Sequence, residues 1–114
     1  MRPFYIKIKP STSPDVHGYR IYAEPEGTDV TADSDHSMEQ LHASLPLDAE
    51  GVARIDISGL LMEVATPGKD AGETFSVGIT AFDKFQNESP IVTGSAFFDL
   101  AAPAAPTLLG FEQG

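Results

Sequence analysis

The sequence predicts an all-β fold, a Greek-key sandwich of two antiparallel sheets with about seven short strands. Three observations carry that expectation. Apolar residues recur with a period of two in several segments; Pro, Gly, Asp and Asn punctuate the intervals; and no segment sustains a long helical period. A chain of 114 residues suffices for one domain and is short for two. Area scaling gives roughly 6,000 Å² exposed in the folded state, with about two-thirds of the unfolded surface buried. A core of that size holds a fold without staples.

Each element follows from its local pattern. Phe4, Ile6 and Ile8 alternate with Tyr5, Lys7 and Lys9, as in a half-buried strand. Prolines and hydroxyl residues between Pro10 and Asp15 then favour a turn or loop. Tyr19, Ile21 and Ala23 alternate with Arg20, Tyr22 and Glu24, and Pro25 with Gly27 closes this second strand. The next stretch supports two readings. Ser37 to Gln40 forms a capping box, with Met38, Leu41 and Leu45 at helical spacing up to Pro46. It also alternates as Leu41, Ala43, Leu45 and Leu47, and the all-β context favours the strand.

Ala53, Ile55 and Ile57 make another alternating run. Leu60 to Thr66 is apolar but short and has room for a helical turn inside a long connection; Pro67 and Gly68 end it, and Lys69 to Gly72 continues as loop. Phe75, Val77, Ile79 and Ala81 form the clearest strand, and Val92, Ala96, Phe98 and Leu100 line one face of a last one, with Gly94 at the gap. The expected division is a sandwich over residues 1–100 and an Ala/Pro-rich tail over 101–114.

Composition excludes several function classes. There is no cysteine, so disulfides, thiolate catalysis and cysteine-ligated metals are out. Seventeen acids against seven bases leave a net charge of −10, which repels nucleic acid and anionic membrane surfaces. The 41% hydrophobic content is that of a globular domain. The N-terminus has no apolar run of signal-peptide length and no stretch reaches a membrane span. The expected location is cytoplasmic or virion for a complete chain, and extracellular for a piece excised from a longer one.

No catalytic constellation is legible, and no cofactor or metal is expected. His17, His36 and His42 lack metal-ligand spacing. Asp29, Asp33 and Asp35 sit in an oxygen-rich loop without the ordered ligand spacing and bidentate Glu of an EF-hand, so a solvated acidic loop is expected. A Gly-x-Ser-x-Gly elbow and a Gly-rich phosphate loop are both absent. Outward aromatics are the better candidates for a binding surface. The alternation turns Tyr22, Phe82 and Phe97 outward and puts Phe85 at a hairpin tip, where they would meet a protein partner or a sugar.

Two of these segments resemble the fibronectin type III family. Asp15 to Tyr22, with its Gly18-Tyr19 start, resembles that family's third strand. Phe75 to Pro90 is similar to its sixth strand and following hairpin, as bacterial members carry them. Phe4 to Lys9 takes the place of the second strand, so the resemblance covers roughly residues 4–99. The chain departs from the pattern in having no tryptophan, where Ile8 fills the space, and in placing Phe75 at the tyrosine-corner position. It also carries an insertion around Leu60 to Ala71.

A further departure concerns the family's first strand, which has no counterpart before Phe4. Pro103, Pro106 and Leu109 reproduce the spacing with which such a strand opens, and Leu108 and Phe111 add apolar bulk. The expectation is that this tail supplies the strand, in its own domain or by exchange with a neighbour; the other reading is a linker or frayed end. The resemblance implies a non-enzymatic interaction or structural module of bacterial or phage type, associating with protein, either with a second copy of itself or within a larger assembly. The alternative is a carbohydrate-binding or adhesion accessory module.

Overall fold

A computed structural model describes residues 3–67, 72–99 and 107–113. The chain forms β1 (Tyr5–Ile8), β2 (Gly18–Pro25), β3 (Ser37–Leu41), β4 (Ala53–Asp56), α1 (Ser58–Val64), β5 (Glu73–Phe82) and β6 (Val92–Phe98). The strands make two antiparallel sheets, one of order β1-β4 and one of order β3-β2-β5-β6. The fold is therefore mostly β and two-layered, with six strands among the described residues.

The 37–47 stretch combines both of its sequence readings in part. Ser37–Leu41 is a strand, and its alternation starts at Met38, paired with Ile21, rather than at Leu41. His42–Ser44 then turns as a short 3-10 helix, and Leu47 bridges only to Ala53. The Leu60 segment is more than a single turn. It belongs to the seven-residue α1, which buries Leu60, Leu61 and Val64. Asp56 accepts a hydrogen bond from the Ser58 amide at 2.9 Å and so ends β4 where the helix starts. At the far end, buried Glu73 accepts from the Thr66 amide and from its hydroxyl, tying the helix exit to β5.

The core is where the two layers meet. Ile55 from the small sheet, Ile57 between β4 and α1, Leu60, Leu61 and Val64 from α1, and Ile21, Ala23, Phe75, Val77 and Phe98 from the large sheet form one buried cluster. Phe4 stacks on Phe98 with ring centroids 5.5 Å apart, and Phe98 meets Phe75 edge-on at 6.5 Å. These contacts fix the spacing of the layers at one end.

Coverage of the large sheet is uneven. The small sheet spans two strands and α1 lies against β2, so β2 and the middle of β5 are well covered. Phe4 covers β6 at Phe98, but no element among the described residues continues over its Val92 end. The cross-strand register pairs core-facing Phe75, Val77 and Ile79 with Ala96, Gly94 and Val92, which puts those β6 residues on the inner face. Yet Val92 is 70% exposed, and Ile6, Ile8 and Ile79 are only partly buried. The chain exposes 7805 Å², against about 6,000 Å² for a compact chain of this mass, an excess to which the exposed residues 107–113 also contribute.

Close approach of the strands constrains Gly18. A β-carbon there would lie 2.7 Å from the Gln40 carbonyl and 2.9 Å from the Phe82 ring. Gly18→Ala should cost roughly 1–3 kcal/mol by overpacking. Gly94 has nothing within 4 Å of its would-be β-carbon, so Gly94→Ala should gain up to about 1 kcal/mol by restricting the unfolded chain. Urea denaturation midpoints of the two variants would check the contrast.

Candidate functional site

Two surfaces stand out from the fold. One is the end of the sandwich made by the β1–β2 and β5–β6 loops; the other is the uncovered strip between β1 and β6. Each is built by identifiable local interactions.

At the loop end, Asp83 organises the hairpin. Its carboxylate accepts from the amides of Phe85 and Asn87 at 2.9 and 3.0 Å and from the Asn87 side chain at 3.0 Å. These bonds, led by the one from the Asn87 side chain, hold its carboxyl below the ordinary value. Gln86 takes a left-handed φ of 71° in this turn, and Ser89 returns the chain by donating its amide to the Ala81 carbonyl at 2.8 Å. Phe85 is thereby held at the tip and is 75% exposed, with Lys84 Nζ 5.2 Å from its ring centroid. Beside it, Pro14, Asp15, His17 and Asp83 border a cleft of about 270 Å³.

Beneath the hairpin lies a charge network that sequence reading did not find. The Arg20 guanidinium donates from Nε to Glu39 at 2.8 Å, from Nη1 to Glu88 at 2.6 Å, and to the Gln86 side-chain carbonyl. The Tyr22 hydroxyl donates to the same Glu88 oxygen at 2.7 Å. Arg20 also lies 4.3 Å from the centroid of the Phe82 ring. Burial works to raise the Glu88 carboxyl, but the bonds from Arg20 and Tyr22 outweigh it and hold the group below 4.5. Burial, then the bond to Glu88, pushes the Tyr22 hydroxyl up to about 12.

This network corrects the expected aromatic patch. Tyr22 and Phe82 do lie on the outer face of the large sheet, but they are 4% and 3% exposed. Arg20 and the returning hairpin residue Glu88 cover them, so neither ring is available to a partner. Arg20 and Glu88 are 68 positions apart, and the alternation of either strand carries no sign of their pairing. Phe85 and Phe97 remain exposed, at opposite ends of the sandwich. Phe97 borders a cleft of about 270 Å³ with Pro3, Phe4, Phe98 and Asp99.

The second surface is apolar. Ile8, Tyr19, Ile79, Ala81 and Val92 line a groove of about 360 Å³ between the small sheet and β6. The Tyr19 hydroxyl closes one end by accepting from the Ser11 amide at 2.9 Å and meeting His42 Nδ1 at 2.9 Å. One wall of this groove is a free strand edge. Ile57 donates its amide to the Phe4 carbonyl, and in the antiparallel register this directs the backbone groups of Phe4, Ile6 and Ile8 toward β4. Those of Tyr5 and Lys7 point the other way, where no strand among the described residues pairs with them. The outer edge of β4, in contrast, is met by the 46–48 segment, through Arg54 to the Pro46 carbonyl at 3.2 Å and Asp48 to the Val52 carbonyl at 2.9 Å.

Within the single chain, residues 107–113 form no strand against this edge. Residues 107–113 have no regular structure and are exposed, with Leu109 at 96% and Phe111 at 94%. Leu108 is exposed beside them, while Pro103 and Pro106 lie outside the described residues. In the acidic loop, hydroxyls serve the turn itself: Thr31 Oγ1 accepts from the Asp33 amide and Ser34 Oγ from the Thr31 amide. No group of three or more potential metal-ligating side chains occurs among the described residues.

Linkage makes the Arg20–Tyr22–Glu88 network testable. Tyr22 is held protonated in the fold, so its contribution is complete below the ordinary tyrosine value and is lost as pH rises from about 10 to 12. Ultraviolet phenolate titration should show one of the three tyrosines ionising near 12, and Tyr22→Phe should remove that step. Glu88 is held ionised, so its contribution is present above 4.5 and is lost as pH falls through its lowered value. Glu88→Gln should therefore lose less stability in acid than the unsubstituted chain, as read from denaturation midpoints between neutral and acidic pH.

Compared with known proteins, the chain matches no family model, no curated protein and no solved structure.

Proposed function

We propose that the chain is a divergent fibronectin type III-like Greek-key module that acts without catalysis, by binding protein. The supporting observation is the incomplete small sheet. A four-stranded sheet faces a two-stranded one, leaving the inner residue Val92 70% exposed above an apolar groove with a free strand edge. The order in which the chain visits the two sheets fits the family's strands from the second onward, with the position beside β1 left open. An exposed edge of this kind recognises extended backbone, with main-chain hydrogen bonds giving affinity and side-chain pockets giving selectivity.

A carbohydrate-binding reading rests on the loop end. Phe85 presents a ring to solvent next to the carboxylates of Asp15 and Asp83, a combination suited to stacking on a sugar and bonding its hydroxyls. With Tyr22 and Phe82 covered, that surface offers a single ring rather than a platform. The strand-edge reading is favoured for that reason.

Three measurements separate the readings. Amide hydrogen exchange on the dilute chain should find Tyr5 and Lys7 exchanging freely while Ile6 is protected, and an apolar dye should bind the groove and lose its signal in Val92→Arg. Protection of Tyr5 and Lys7 in the dilute monomer would show the edge already occupied and defeat the strand-edge reading. A glycan-array signal that disappears in Phe85→Ala would instead support the carbohydrate reading.

A further inference from the structure

The open edge and the exposed tail have complementary chemistry. Along β1 the side chains alternate, with Phe4, Ile6 and Ile8 toward the core and Tyr5, Lys7 and Lys9 toward solvent. Residues 107–113 carry the same alternation when extended: Leu109 and Phe111 fall on one side, Leu108, Gly110 and Glu112 on the other. One side of the segment therefore fits an apolar groove. The other brings the segment's single charge, the Glu112 carboxylate, to the face that holds Lys7 and Lys9.

The length also fits. Seven residues match a usual strand, long enough to run beside the four-residue β1 and a residue on either side of it. Gly110 has a φ of 123° in the free segment. As glycine it can swing into the extended region at little steric cost.

We infer that residues 107–113 of one copy of this chain complete the small sheet of a second copy, pairing with β1 and seating Leu109 and Phe111 in the groove lined by Ile8, Tyr19, Ile79 and Val92. This rests on the strand-edge reading above and names its partner. The driving force is burial of two large side chains that are almost wholly exposed in the single chain, together with the inner face of β6. Backbone bonds from Tyr5 and Lys7 set the register. Lysine on an edge strand discourages indiscriminate pairing, so an incoming strand with a carboxylate on that face is favoured over a neutral or basic one.

The test uses the whole chain with two kinds of variant. In a donor-defective chain, Leu109→Asp and Phe111→Asp spoil the incoming face. In an acceptor-defective chain, Lys7→Pro removes an amide that points away from β4, so the β1–β4 pairing survives. Light scattering after size exclusion should find the unsubstituted chain as a dimer or larger species that dissociates on dilution. Each variant alone should run as a folded monomer, with its circular-dichroism spectrum unchanged. Mixed in equal amounts, they should associate one to one, because one retains the acceptor and the other the donor. Leu108→Gln, on the solvent side of the segment, should associate like the unsubstituted chain.

An unsubstituted chain that is monomeric at every concentration overturns the exchange, as does association that survives both variants, or a mixture that stays monomeric. If Tyr5 and Lys7 exchange freely in a chain that never associates, the strand exchange alone fails and the open-edge reading stands. If those amides are protected in the dilute monomer, both fail.

Discussion

A sheet with one apolar face must have that face covered across its width, and the mismatch in width between the two layers governs this structure. Four strands on one side face two strands and a helix of seven residues on the other. The helix makes up the deficit on the β2 side, where Leu60, Leu61 and Val64 enter the same cluster as Ile21 and Ala23. Among the described residues no equivalent element covers the Val92 end of β6, so residues that the register turns inward are left in contact with solvent. Burial is the main favourable term in folding, so the uncovered strip represents stabilisation still available to any strand that docks there.

The same large sheet is finished differently on its outer face. Small residues Gly18 and Gly78 on adjacent strands leave room, and Phe82 and Ile91 fill it. Arg20 then joins three segments, reaching Glu39 on β3, Glu88 in the returning hairpin and the Phe82 ring below. A guanidinium suits this position because its planar fork can serve two carboxylates while its face lies over a ring. By holding Glu88, Arg20 also fixes the base of the turn that presents Phe85. The outer face is thus closed by a polar lid, while the inner face opens at its edge.

Much of this was legible from period alone. The strands around Ile6, Ile21, Ile55, Val77 and Ala96 follow their alternation, because a one-residue slip would move each apolar set to the wrong face. The failures are physical ones. Alternation assigns Tyr22 and Phe82 to the outer face correctly, but a period of two cannot reveal that a hairpin 60 residues later, measured from Tyr22 to Phe82, folds over that face. The helix at Ser58–Val64 was underestimated because its first residues, Ser58 and Gly59, have poor helix propensity. Tertiary burial of Leu60, Leu61 and Val64 supplies what propensity lacks.

The chain's charge bears on what kind of assembly the proposed exchange would make. Each copy carries one donor segment and one acceptor edge, so exchange is either reciprocal, closing a two-fold pair, or serial, extending a filament. A filament brings every copy, with its net charge of −10, between two like-charged neighbours, whereas a closed pair has one such neighbour. Over a screening length of about 10 Å at moderate salt, that repulsion acts between the faces nearest the junction. Lys7 on β1 and Lys9 just beyond it reduce the repulsion at the acceptor edge itself, whereas Arg54 on β4 is paired with Asp48 at 3.2 Å. The junction is then the least repulsive place for two copies to meet, while the rest of the acidic surface opposes further addition. Local attraction at β1 with overall repulsion elsewhere favours the closed pair over the open chain.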